Sequence, residues 1–168
     1  MTPNDLLDEL SVQIYSRPLS LHRDSGKIAD VTDPLSVVML LIDCTTEIDM
    51  NGFLDGFIGN STGLYAWETV EALKVIGCPE LAADLARILT LAIDAGVTHE
   101  AIQRDRSRFS AFTVTTFNQT HGDKWRDISR TISKLGDDLD FGPVYERLEV
   151  YVAEHFDVLQ SHLTKAQQ

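Results

Sequence analysis

Cysteine is nearly absent from this chain. Cys44 and Cys78 are separated by 33 residues, without a Cys-x-x-Cys spacing, which excludes a disulfide framework and a sulfur-rich metal knuckle and suits buried free thiols in a reducing compartment. Long apolar runs are missing as well. The longest, Val37 to Ile42, falls far short of the roughly 20 residues that span a bilayer. The first residues, Met-Thr-Pro-Asn-Asp-Leu-Leu-Asp-Glu-Leu, are acidic where a secretory signal would be basic and then apolar, so a cytoplasmic location is expected. Positive charge is scarce: 14 Lys and Arg stand against 26 Asp and Glu, a net charge of −12. Such a surface repels nucleic acid and anionic membranes and attracts basic partners.

At 168 residues the expected organisation is a single domain that folds without metal or disulfide staples. Residues 1–100 carry 16 acids and 5 bases, residues 101–134 carry 3 and 7, and residues 135–168 carry 7 and 2. The basic middle segment contains Arg104, Arg106, Arg108, Lys124, Arg126, Arg130 and Lys134, and it reads as a partner for neighbouring acids rather than as a nucleic-acid patch.

Helical periodicity dominates. Thr2-Pro3 is a cap followed by proline, after which Leu7, Leu10 and Ile14 share one face. Residues 17–31 have no sustained period and are expected as a loop. Asp33-Pro34 repeats the start signal, and Leu35 to Ile42 is apolar all round, the mark of a central helix buried on several sides. Gly77 and Gly96 suit helix ends, and Pro79 a helix start. Residues 109–122 mix β-formers with helical spacing and support neither state over the other. Trp125 to Leu139 reads as a helix, Asp140-Phe141-Gly142 as a turn, and Pro143 to about Leu163 as one long last helix, with 164–168 a frayed tail. With no strand–helix alternation, the expected fold is an all-α, single compact multi-helix domain around a buried central helix.

Several motifs approach known chemistry without completing it. His99-Glu100-Ala101-Ile102-Gln103 resembles the zinc-protease pattern His-Glu-x-x-His, but Gln103 cannot replace the second imidazole. Gly59-Asn60-Ser61-Thr62-Gly63 matches Gly-x-Ser-x-Gly, yet no convincing strand precedes it, and Ser61 or Thr62 suits a helix cap better. Asp43 and Glu47, with Glu68 and Glu71, have the helical spacing of a carboxylate-bridged metal site. Such bundles also use Glu-x-x-His pairs, which are absent here. No catalytic residue, cofactor or metal is therefore expected. What remains is acidity: Asp137, Asp138 and Asp140 cluster ahead of a stripe of Glu146, Glu149 and Asp157 on the last helix.

The stretch Glu47 to Gly77 is the most distinctive. Glu47, Asn51, Gly52, Phe53, Phe57 and Asn60 form a glycine- and asparagine-rich structural corner, in which Asn51, Gly52 and Gly59 supply backbone freedom and the two phenylalanines anchor the turn. This corner, with Asn60-Ser61-Thr62-Gly63, Glu71-Ala72-Leu73, Ile76-Gly77, Ala82-Ala83 and the distal Leu139-Asp140, Tyr145 and Leu148, resembles a bacterial domain family of otherwise unknown function whose characterised member is a DNA-mimic protein. The resemblance covers about residues 35–160. It implies an α-helical domain that presents acidic side chains to a basic DNA-binding protein, such as a transcription factor or nucleoid protein, with no direct nucleic-acid or membrane contact and with a homodimer allowed. The alternatives are an immunity protein against a basic toxin, and a carboxylate-metal enzyme built on Asp43, Glu47, Glu68 and Glu71.

Overall fold

A computed structural model of the chain describes residues 1–17, 19–59, 61–96, 98, 100, 101 and 114–166, with 61, 62, 114–125 and 166 described by their backbone alone. Every regular element among them is helical: α1 (Pro3–Gln13), α2 (Ser20–Asp24), a 3-10 turn (Lys27–Ala29), α3 (Pro34–Asn51), a π-helix (Phe53–Ile58), a second 3-10 helix (Ser61–Tyr65), α4 (Ala66–Val75), α5 (Pro79–Asp94), α6 (Val114–Asp137), α7 (Gly142–Glu154) and α8 (Phe156–Ala166).

The helix starts follow their local chemistry. Thr2 and Asp5 form a capping box, Thr2 Oγ1 accepting from the Asp5 amide at 3.2 Å while Asp5 Oδ2 accepts from the Thr2 amide at 2.7 Å, so two otherwise orphaned donors are satisfied. Asp33 caps α3 by accepting from the Leu35 amide at 3.0 Å, and Pro34 follows at the first helical position. Gly77 and Gly96 close α4 and the helix after it with φ of 82° and 83°, the left-handed conformation expected of such residues.

α3 is the core. All residues from Leu35 to Cys44 are buried. α3 packs against α7 and α8, which also pack on α1, and against the π-helix and α4, with α5 on α4 and α6 on both α5 and the π-helix. Tyr145 of α7 donates to Asp8 of α1 at 3.0 Å.

Three expectations change. Residues 17–31 are not simply a loop: they hold α2 and a 3-10 turn and bury Leu19 and Ile28. Five- and three-residue helices are too short to show a period and depend on tertiary contacts. The last helix is divided at His155, whose backbone lies at φ −111°, ψ 20°. No proline or glycine marks the break; it lets α7 and α8 each turn an apolar face to α1 and α3. Residues 114–122 are helical, while 109–113 lie outside the described residues.

The corner after α3 is made differently from expectation, and its Asn60 lies outside the described residues. Gly52 takes φ 76°, and its carbonyl accepts from the amides of Gly56 at 3.0 Å and Phe57 at 3.3 Å. Asn51 is the last helical residue, its side chain donating to Glu47 Oε2 at 3.2 Å. Gly59 has an ordinary φ of −76°, so backbone freedom is not what it supplies. Close approach matters more: a Cβ on Gly56 would lie 2.2 Å from the Glu47 carbonyl oxygen, and one on Gly63 would lie 2.4 Å from that of Ile58. Phe53 and Phe57 are buried with ring centroids 5.9 Å apart. Gly136 of α6 completes the packing, since a Cβ there would stand 2.2 Å from Phe53 Cγ. Gly136→Ala is expected to destabilise the protein by about 1–3 kcal/mol through overpacking. Combined with Phe53→Ala it should cost less than the two single losses added together, as measured by urea denaturation.

Candidate functional site

The four carboxylates of the expected metal alternative are not brought together. Asp43 faces α2, where Arg23 grips it with Nε to Oδ2 at 3.0 Å and Nη2 to Oδ1 at 2.6 Å. This forked pairing fits guanidinium to carboxylate geometry. The Asp43 side chain is only 6% exposed. The Tyr15 ring covers the guanidinium, whose carbon is 5.6 Å from the ring centroid. Burial pushes the Asp43 carboxyl above the usual carboxylate range, and the adjacent Arg23 charge opposes that rise. On α4, Glu71 pairs with Lys74 at 2.7 Å. No group of three or more His, Cys, Asp or Glu side chains able to hold a metal occurs among the described residues. Cys44 and Cys78 are free thiols, the first buried and driven well above its ordinary pKa by that burial.

A Ser–His–Asp trio stands at the start of α3, and its geometry differs from that of a hydrolase triad. Ser36 is fully buried, its hydroxyl 3.1 Å from the Lys27 carbonyl and 2.8 Å from His22 Nε2; the tautomer of His22 decides which of the two accepts the serine proton. The same nitrogen lies 3.6 Å from Asp33 Oδ2. A triad needs the serine and the acid on opposite ring nitrogens. Before Ser61 there is a π-helix instead of a strand, so that segment is no nucleophile elbow. His99 and Gln103 lie outside the described residues.

The acids that sequence singled out separate into groups. Asp138 and Asp140 line a cleft of about 540 Å³ together with Glu80 and Asp84 of α5 and Arg147 of α7; Leu81, Leu139 and Pro143 line it as well. Asp140 also accepts from the Gly142 amide at 2.9 Å, so it shapes the turn into α7. Asp137 lies in a different cleft of about 570 Å³, with Asp55, Arg126 and Arg130. Part of the basic segment thus sits beside acids, as its composition suggests. Glu146 and Glu149 lie on α7, and the break at His155 puts Asp157 on α8, in its first turn, where a negative charge favours the helix dipole. Glu80 and Asp84 were missed as site residues. Their i, i+4 spacing was visible, but nothing local connects them to residues more than 50 positions away.

The site is thus a charged surface cleft on an all-helical scaffold, without a metal-binding group among the described residues. Residues 29–155 match the family described as DMP19-like protein, and this chain belongs to that family. No curated protein and no solved structure matches the chain. Among the described residues, no helix is long and apolar enough to cross a membrane.

The Arg23–Asp43 pair gives a direct test. Arg23→Met leaves a buried carboxylate without a counter-charge and is expected to cost about 3–5 kcal/mol, while Arg23→Met with Asp43→Leu should recover most of it. Without Arg23 the Asp43 pKa rises further above its unfolded value, and the stability linked to a raised carboxyl is lost as pH rises through the folded pKa. The deficit of Arg23→Met in urea unfolding should therefore be smaller at pH 4 than at pH 7.

Proposed function

We propose that this protein is a non-catalytic, acidic interaction protein, a DNA mimic that occupies the DNA-binding surface of a basic partner such as a transcription factor or nucleoid protein. The observation that carries this reading is the cleft lined by Glu80, Asp84, Asp138 and Asp140 together with Arg147, Asp84 also lying 3.4 Å from Arg87. Within a chain of net charge −12, that cleft gathers negative charge from two helical corners onto rigid elements. Lys and Arg side chains that ordinarily contact phosphates would find carboxylates there, with the apolar lining residues Leu81, Leu139 and Pro143 accommodating their methylene stems. Membership of the DMP19-like family and the corner resemblance to a family with a DNA-mimic member support the same reading.

The mechanism is electrostatic competition. Carboxylates on the protein replace phosphate contacts, so binding weakens as salt rises and screening shortens the reach of each charge. The test is a mobility-shift competition with DNA-binding proteins from the same genome. At low salt the protein should release DNA from its partner, and Glu80→Gln, Asp84→Asn and Asp138→Asn together should weaken that competition by roughly tenfold or more, each lost pair at a desolvated contact being worth about 1 kcal/mol. Asp140 is left intact because it shapes the α7 turn. Absence of binding to any basic partner at low salt, or undiminished competition by the triple variant, would refute the proposal.

A further inference from the structure

The start of α3 holds a second charged cluster, separate from the acidic cleft. His22 of α2 lies 3.6 Å from one oxygen of Asp33, and His162 of α8 lies 4.0 Å from the other. The two imidazoles meet edge to face with centroids 6.5 Å apart. Asp33 is also the cap of α3, so one carboxylate joins three elements that are far apart in sequence. The His22 side chain is 11% exposed and is tied to the fully buried Ser36, so it cannot swing away from a new charge without breaking that bond.

We propose that His22, Asp33 and His162 form a pH-sensitive clasp that fastens α2 and α8 to the start of α3, closed while His22 is neutral and released when His22 takes up a proton. A proton on His22 places a cation in a poorly solvated position beside a second imidazole, with Asp33 as the nearby carboxylate to answer it. The groups around His22 have mixed effects: Asp33 and Asp30 favour its cation, His162 of α8 and Lys27 of the 3-10 turn oppose it, and burial opposes it most, holding its pKa below the ordinary value. Tyr151 of α7, whose titration is raised by burial and then by Asp33, stays neutral at acid pH. The sign follows: below about pH 6.5 the unfolded or opened chain takes up the His22 proton before the closed one does, so closure is favoured above that pH and lost below it. Release of α8 uncovers Leu159 and Leu163, both buried when it is docked.

The experiment is an NMR titration of the histidine ring protons in the full chain between pH 4.5 and 8, with His22→Gln assigning the His22 resonance while keeping a donor for Ser36. His162→Gln and Asp33→Asn are compared with the parent, asparagine being as good a helix cap as aspartate. The His22 midpoint is expected below the ordinary histidine value in the parent, higher by about half a pH unit or more in His162→Gln, and lower in Asp33→Asn. A dye that reports exposed apolar surface should brighten on acidification of the parent and much less in His22→Gln. A His22 midpoint that is the same in all three proteins, or a dye response unaffected by His22→Gln, would overturn the clasp.

Discussion

A helix with no face to offer water must be covered on every side, and α3 is such a helix from Leu35 to Cys44. Its apolar surface supplies the main gain on folding, and its lack of a polar stripe dictates that the rest of the chain wrap around it. The remaining elements can be understood as solutions to that requirement. α7 and α8 pack on α3 and on α1, the break at His155 letting the chain bend around the core. The corner folds back over the end of α3, where glycine at position 56 allows backbone to lie against backbone. α2 closes the last gap, with Arg23 answering the one carboxylate, Asp43, that α3 carries inward.

The Arg23–Asp43 pair is informative because its net energetic value is small. Taking both charges out of water offsets much of their attraction. What it adds is specificity: a buried acid on α3 can be satisfied in one orientation of α2, and the Tyr15 ring stacks on the result. A short helix with little apolar surface of its own is thereby given a single docked position.

Features encoded by neighbouring residues were legible in the sequence. Thr2-Pro3 and Asp33-Pro34 mark helix starts because a cap and the proline after it act within one turn. Gly77 and Gly96 mark helix ends for the same reason, and the uninterrupted apolar run of α3 announces its own burial. Features that depend on contacts between distant segments were not legible. Gly136 resembles a weak point in a helix until Phe53 is placed against it, Asp43 resembles a metal ligand until Arg23 arrives from 20 positions away, and Asp138 and Asp140 cannot be paired with Glu80 and Asp84 from spacing alone. The expected acidic stripe assumed one continuous last helix, an assumption that packing on α1 and α3 overrides.

The end of α6 separates two unlike electrostatic environments. Asp137 borders a cleft where arginines and aspartates balance, while its neighbour Asp138 borders one lined by four acids and Arg147, with Arg87 beside Asp84. The field around this corner is therefore a gradient across one helix end, not a uniform negative cloud. A basic partner of the kind proposed above would experience a torque as well as an attraction, its own charge distribution deciding which way round it arrives.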